Sequence, residues 1–161
     1  MRRTVRIAAG IAAAVAVTAF AISCGDSTAP GPKRYIANLS PANEVPIKTT
    51  TGTGVVTFVD NGTTIDWTMT LTGMENVTMS HIHLPAATGV NAAVAIFLFT
   101  PITPTGTLNG FVSAGSITNS SNVGVSLDSL RVLFNNGNAY VNVHTAVNPG
   151  GEIRDQIHPV Q

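Results

Sequence analysis

The sequence predicts an all-β domain: an antiparallel β-sandwich or barrel of about 7–8 strands with one short helical crossover. Short β-rich runs recur along the chain, separated by turns of Gly, Asn and Pro. Residues 63–73, TTIDWTMTLTG, alternate between apolar and polar side chains. That period of two is typical of a strand with one buried face.

The β-rich runs can be placed in order. YIANL (35–39) is the first, and Asp60-Asn61-Gly62 separates the next two, a strong signal for a hairpin. AAVAIFLFT (92–100) is apolar on both faces, so we expect a central, well-covered strand. The remaining runs are HIH (81–83), GTLNGFVSAGSI (106–117), AYVNVHT (139–145) and GEIRDQI (151–157).

One helix is predicted between the last long runs. Ser126 can accept a hydrogen bond from the first turn, and Leu127, Leu130 and Phe134 recur at helical spacing. Asn136-Gly137 supplies the stop, because Gly readily adopts the left-handed conformation at a helix end.

The N-terminus reads as an export signal. Arg2, Arg3 and Arg6 precede an almost continuous apolar run over 7–22. That run suits a signal-peptide core and is shorter than the roughly 20 residues of a membrane-spanning helix. No second apolar run of that length follows.

Cys24, the only cysteine, follows small Ser23 in a stretch that resembles the lipobox of bacterial lipoproteins. Lipidation would explain a lone cysteine in an exported chain; cleavage after Ala21 and plain secretion is the alternative. We therefore predict a lipoprotein-type signal peptide over 1–23, a flexible Gly/Pro/Ser tether over 24–33 and one domain over 34–158. The expected location is the bacterial cell envelope, anchored by lipid on the periplasmic or outer-surface side.

The charge of the mature chain excludes nucleic acid as a partner. Without the three arginines of the signal, five basic residues face eight acidic ones, a net charge of −3. Neither a basic stripe nor basic residues interleaved with aromatic ones occur.

The polar residues that could carry chemistry share one face of the predicted sheet. In a strand, residues i and i+2 lie on the same side, so His81 and His83 project together. The same argument places Asn142 and His144 on the outer face of one strand, and Glu152, Arg154 and Gln156 on that of the next. The short turn AVNPGG joins those two strands, so a neighbouring His81 strand would bring all these side chains together.

Three interpretations of this group are open. The imidazoles, Arg154 and Glu152 can form a structural hydrogen-bond network. His81, His83 and His144, with Glu152 as ligand or supporting residue, can instead bind copper or zinc, which both suit imidazole. His144 and Glu152 could also act as an acid–base pair, but no Ser or Cys nucleophile accompanies them. His158, beside Pro159, is expected to be a solvated tail residue.

Three segments in this order resemble the CHRD domain, which recurs in chordin and occurs singly in bacterial exported proteins: ANLSPANEVP, SHIHLPAATGVNA and AYVNVHTAVNPGGEIRDQ. The resemblance covers about residues 34–158 and implies a β-sandwich-like domain. It also implies that a characteristic set of polar residues matters, with Asp155 standing where the family usually has Gly. That set is Asn43, Glu44, His81, His83, Asn142, His144, Glu152, Arg154 and Gln156.

The functional expectation is a lipid-anchored, non-enzymatic interaction or envelope-structural module with an unidentified protein or envelope partner. The alternative is a metal-binding domain that uses the histidines and Glu152. No catalytic residue and no certain cofactor are predicted. Glu44, Asn142, Arg154 and Gln156 are expected to form a polar cluster around the histidines.

Overall fold

The computed structural model describes residues 31–120 and 124–160. The predicted signal peptide, Cys24 and the tether up to residue 30 lie outside that range, so those assignments stay predictions. The described residues belong to one compact unit. No helix among them combines the length and the apolar composition that a membrane crossing needs.

Nine strands, one α-helix and one 3₁₀ turn make up the described chain. They are β1 (Lys33–Leu39), a 3₁₀ turn (Pro41–Asn43), β2 (Thr53–Asp60), β3 (Ile65–Met74), β4 (Val77–His83), β5 (Val94–Phe99), β6 (Leu108–Ile117), α1 (Leu127–Asn135), β7 (Tyr140–Thr145), β8 (Ile153–Gln156) and β9 (His158–Pro159).

The strands form two antiparallel sheets. One has five strands in the order β6-β3-β2-β1-β9, and the other has four in the order β5-β4-β7-β8. Their inner faces share one hydrophobic core, to which both sheets and α1 contribute. The all-β prediction is therefore confirmed, and the sandwich is the observed member of the two predicted architectures. The ninth strand is the two-residue β9, which includes the exposed His158 and pairs with β1.

The predicted hairpin and helix are both present. β2 and β3 pair antiparallel across the Asn61-Gly62 turn, and Ile65, Trp67 and Met69 of β3 face the core. The Ser126 hydroxyl accepts the Ser129 N–H at the start of α1. Gly137, with φ +63°, follows its end, as the sequence indicated.

The prediction for residues 92–100 is wrong. β5 is an edge strand of the four-stranded sheet, and Phe97 on its outer side is 62% exposed. Ile96 and Leu98 face the core, so only one side of the strand is covered by it. The outer apolar residue has another role, because the Phe97 ring packs edge-on against His81, with centroids 4.6 Å apart.

Candidate metal centre

The outer face of the four-stranded sheet carries most of the residues that the sequence singled out. β4, β7 and β8 are neighbours there, and His81 lies opposite Asn142, which lies opposite Arg154. Because directly opposed residues project to the same side, this register collects the three histidines with Asn142, Arg154 and Gln156 on one face. The expected meeting of these strands is confirmed.

This face is covered rather than open to solvent. His81 is 3% exposed and Arg154 is 2% exposed. The β4–β5 loop lies over one end, where Gln156 Nε2 donates to the Ala86 carbonyl at 2.9 Å. A pair of backbone hydrogen bonds between Ser40 and Arg154 fixes the segment that leads into the 3₁₀ turn. The polar residues are therefore buried between a sheet and its own loops.

The three imidazoles converge. One ring nitrogen from each of His81, His83 and His144 can be chosen so that all lie within 4.8 Å of one another. The shortest approach joins His81 Nδ1 and His144 Nε2, at 3.2 Å. Nitrogens bound to one zinc or copper ion at about 2 Å would lie roughly 3–4 Å apart. Small side-chain movements would therefore bring the three nitrogens within bonding distance of one ion.

Backbone carbonyls fix the tautomers of two of these rings. His83 Nδ1–H donates to the Ala92 carbonyl at 2.9 Å, and His144 Nδ1–H donates to the Pro149 carbonyl at 3.0 Å. A carbonyl can only accept, so each neutral ring keeps its lone pair on Nε2. Metal-binding histidines are oriented in this way, with the non-ligating N–H donated to a carbonyl or carboxylate.

Two of the ring nitrogens have no partner. The Nε2 atoms of His81 and His83 are buried and make no hydrogen bond. In the metal-free arrangement His81 donates its Nδ1–H to His144 Nε2, which leaves a lone pair on His81 Nε2. A buried acceptor without a donor costs about 1–3 kcal/mol, so this arrangement is not a satisfied network.

The surroundings keep all three rings neutral. Burial, together with the neighbouring His144 and His83, lowers the pKa of His81 to about 4. Burial also lowers the pKa of His83 and of His144, although the carbonyl bonds of each ring oppose that shift. Since a metal binds the neutral form of imidazole, the lowered pKa values favour ligation over protonation at pH 7.

A stack of three side chains supports His83. The Tyr140 ring lies parallel to the His83 ring, with centroids 4.7 Å apart, and the Arg154 guanidinium sits 4.2 Å from the Tyr140 centroid. Arg154 also donates to Asn91 Oδ1 at 2.7 Å, and the Ala92 N–H donates to the Tyr140 hydroxyl. The stack therefore ties His83 to the loop that supplies its carbonyl partner.

Glu152 does not join the histidines. Its Oε2 accepts from the Thr145 hydroxyl at 2.5 Å and from Asn148 Nδ2 at 3.0 Å, so it closes the β7–β8 turn. Among the described residues, no carboxylate belongs to the group of converging ligand atoms. The ligand role expected for Glu152 is corrected accordingly, and the acid–base pair with His144 has no geometric support, because His144 Nδ1–H donates to Pro149 instead.

Glu44 and Asn142 form a second buried polar group. Glu44 Oε1 and Asn142 Oδ1 are both buried without a hydrogen-bond partner. Burial raises the pKa of the Glu44 carboxyl. A methyl group added at Gly151, where φ is +126°, would lie 2.7 Å from each of these oxygens. Only glycine fits there.

Asp155 fastens the turn that carries Glu44. Its two oxygens accept from the Asn38 N–H at 2.9 Å and from Asn43 Nδ2 at 3.0 Å. In the sequence, Asp155 stands out only as a departure from the Gly that the family usually has. Its position beside Arg154 in β8 would not by itself have revealed the bonds, because their partners are more than 100 residues away.

Comparison with known proteins agrees with these segments. A family model described as the CHRD domain matches residues 35–157, which includes every described residue of the histidine and Glu44 groups. Neither the curated proteins nor the solved structures contain a significant match. The chain belongs to the CHRD domain family.

Proposed function

We propose that this CHRD domain is a non-enzymatic binding module that holds one transition-metal ion on His81, His83 and His144. The observation that carries the proposal is the pair of unpaired, buried Nε2 atoms on His81 and His83. A purely structural network would pair each buried ring nitrogen with a protein group. An ion bound to all three rings would use the Nε2 lone pairs of His83 and His144 and one ring nitrogen of His81, and it would replace the hydrogen bond between His81 and His144.

The donor set fits copper and zinc. Neutral imidazole suits both ions, and three protein ligands leave one position open in a four-coordinate site. The carbonyls of Ala92 and Pro149 hold the rings of His83 and His144 as the supporting groups of a metal site do. A resident ion would also cross-link β4 to β7, so binding should stabilise the fold.

Thermal unfolding with added metal tests the proposal. The purified full chain is stripped with a chelator, then Zn(II) or Cu(II) is added to wild type, to His83→Ala and to His158→Ala. A ligand that binds only the folded state raises the melting temperature. We expect a rise in wild type and in His158→Ala, whose histidine is exposed and outside the cluster, and none in His83→Ala. Equal shifts in all three proteins would overturn the proposal.

We further propose that export and a lipid on Cys24 place this module at the surface of a bacterial envelope membrane. The support is the apolar run over 7–22 and the small residue before the lone cysteine. Metabolic labelling with a fatty acid should mark the wild-type chain but not Cys24→Ser. Lipid on the variant would contradict the anchor, and an unlabelled, released wild type would favour cleavage after Ala21.

A second candidate function, a protein-interaction module, is favoured by apolar side chains at the sheet edges. Phe97 on β5 and Phe111 on β6 are both largely exposed, and both strands lie at an edge. A charged substitution at Phe111 should abolish capture of an envelope partner while leaving the melting temperature unchanged. Cross-linking in whole cells, compared between wild type and Phe111→Lys, measures this directly.

A further inference from the structure

We infer that the ion is copper, and that the thioether of Met79 is its fourth ligand. The inference rests on the proposed function, because it needs the three histidines to bind a metal at all. It adds a residue that the sequence patterns did not single out and selects between the two metals that imidazole allows.

The position of Met79 follows from the strand register. Met79 precedes His81 by two residues in β4 and lies directly opposite His144 of β7. Both relationships place it on the face that carries the histidines. Directly opposed residues have Cβ atoms about 4.5–5.5 Å apart, within the reach of a methionine side chain. Ser80, the next residue, is fully buried on the opposite side, which agrees with this assignment.

The exposure of Met79 indicates on which side of the histidines the fourth coordination position of the metal lies. The histidines are buried beneath the loops, whereas Met79 is 38% exposed and Phe97 is 62% exposed. The two side chains flank His81, Met79 along the strand and Phe97 across it. Met79 and Phe97 are thus an exposed apolar rim beside the buried histidines.

The chemistry of the donor set then selects the metal. Thioether sulfur is a soft ligand that favours Cu(I), whereas zinc sites are completed by thiolate, imidazole, carboxylate or water. No described carboxylate joins the histidines, since Glu152 is held by Thr145 and Asn148. Three neutral imidazoles by themselves also hold zinc, so the thioether is the donor that selects Cu(I).

Two unpaired ring nitrogens support a bound cation, whichever residue supplies its fourth ligand. The Nε2 atoms of His81 and His83 lie in residues that are more than nine-tenths buried and make no hydrogen bond. Each of these lone pairs needs a cation or a hydrogen-bond donor. Neither the thioether of Met79 nor the ring of Phe97 can donate a hydrogen bond. Sulfur from Met79 would complete a site that the histidines leave open on that side.

Selective loss of Cu(I) binding tests the inference. The full chain is titrated with Cu(I) against a chromophoric chelator under reducing conditions, and separately with Zn(II). Wild type is compared with Met79→Leu, which keeps the side-chain volume and removes the sulfur, and with Met69→Leu, a matched change in the core. We expect the Cu(I) affinity of Met79→Leu to fall about tenfold or more, with Zn(II) affinity unchanged and Met69→Leu like wild type.

X-ray absorption at the copper edge adds a direct readout. In protein labelled with selenomethionine, wild type should show a selenium neighbour of copper that Met79→Leu lacks. Unchanged Cu(I) affinity in Met79→Leu, or a wild-type spectrum with light ligands only, would overturn the inference. Zinc binding without Cu(I) binding would also overturn it while leaving the proposed function intact. Binding of neither metal would remove the proposed function itself.

Discussion

The ring planes of His83 and Tyr140 are parallel to within 1°, and the ring centroids are 4.7 Å apart. Tyr140 in turn carries the Arg154 guanidinium on its ring and accepts the Ala92 N–H with its hydroxyl. His83 donates to the carbonyl of the same Ala92. One aromatic ring thus links a proposed ligand, a buried arginine and the loop that orients the ligand.

Loss of the Tyr140 ring should weaken metal binding without unfolding the domain. Tyr140→Leu removes the stack on His83 and the acceptor for Ala92, and misplaced supporting groups typically lower metal affinity 10–100-fold. Tyr140→Phe is the matched control. It keeps the stack, loses only the hydroxyl bond and should cost about 1 kcal/mol of stability with little change in affinity. Competition titration with Zn(II) measures the metal affinity of both variants. Equal affinities would contradict the role of the stack.

The stability of the metal-free protein should fall as the pH drops from about 6.5 towards 4. The folded state lowers the pKa of His81 from 6.5 to about 4, chiefly through burial. The unfolded chain therefore takes up protons in this range while the folded chain does not, and that difference lowers the free energy of unfolding. The loss is on the order of 2–3 kcal/mol for His81.

Chemical denaturation at several pH values measures this loss. His81→Ala should show a weaker decline over the same range, although it is less stable overall. His158→Ala should follow wild type, because that side chain is exposed. Equal declines of wild type and His81→Ala between pH 6.5 and 4 would show that His81 is not held neutral.

Glu44→Gln should raise the melting temperature at pH 7. Burial raises the pKa of Glu44 above 4.5, so its stabilising contribution is complete below pH 4.5 and is lost as the pH rises through the folded-state pKa. The amide carries no charge, and its NH₂ group can donate to the unpaired Asn142 Oδ1. Near pH 3.5 the difference between wild type and variant should shrink. A lower melting temperature for Glu44→Gln at pH 7 would indicate that the ionised carboxylate has a partner essential to the fold.

Gly151→Ala should destabilise the domain by roughly 2–4 kcal/mol, while Gly150→Ala should change little. At Gly151 the new Cβ would lie 2.5 Å from Asn142 Nδ2 and 2.7 Å from Glu44 Oε1, in a backbone conformation with φ +126°. At Gly150 nothing lies within 4 Å of an added Cβ. Thermal melting of the two variants compares a packed position with its open neighbour. Similar melting temperatures would contradict the tight packing of Glu44 and Asn142 against this glycine.

Much of the sheet could be predicted from period and turn chemistry. The two-residue alternation in β3, the Asn61-Gly62 turn and the leucine spacing of α1 are local signals, and the structure contains each element. The shared face of His81 and His83 and the pairing of the last two strands also followed from i, i+2 geometry and a short turn, whereas the neighbouring position of the His81 strand was only a condition. Met79 belongs to the same period, two residues before His81, and that signal was available in the sequence.

Features that depend on long-range contacts could not be predicted in the same way. The apolar run of β5 indicated a central strand, but Phe97 is apolar because it packs on His81 at the edge of the sheet. The burial of Arg154 depends on a loop whose Asn91 is 63 residues away. Glu152 was expected on the histidine face, but its carboxylate is bound in the β7–β8 turn by Thr145 and Asn148. The sequence pattern predicts on which face of a strand a residue lies, whereas the conformation of the loops decides which groups meet there.

Metal stoichiometry in the intact protein shows whether the three histidines form a metal centre. The full chain, stripped and then incubated with limiting copper or zinc, is weighed by native mass spectrometry beside His81→Ala/His83→Ala and His158→Ala. We expect one ion per chain in wild type and His158→Ala, and none in the double variant. An ion retained by the double variant, or none taken up by folded wild type, would contradict a metal centre built on these histidines.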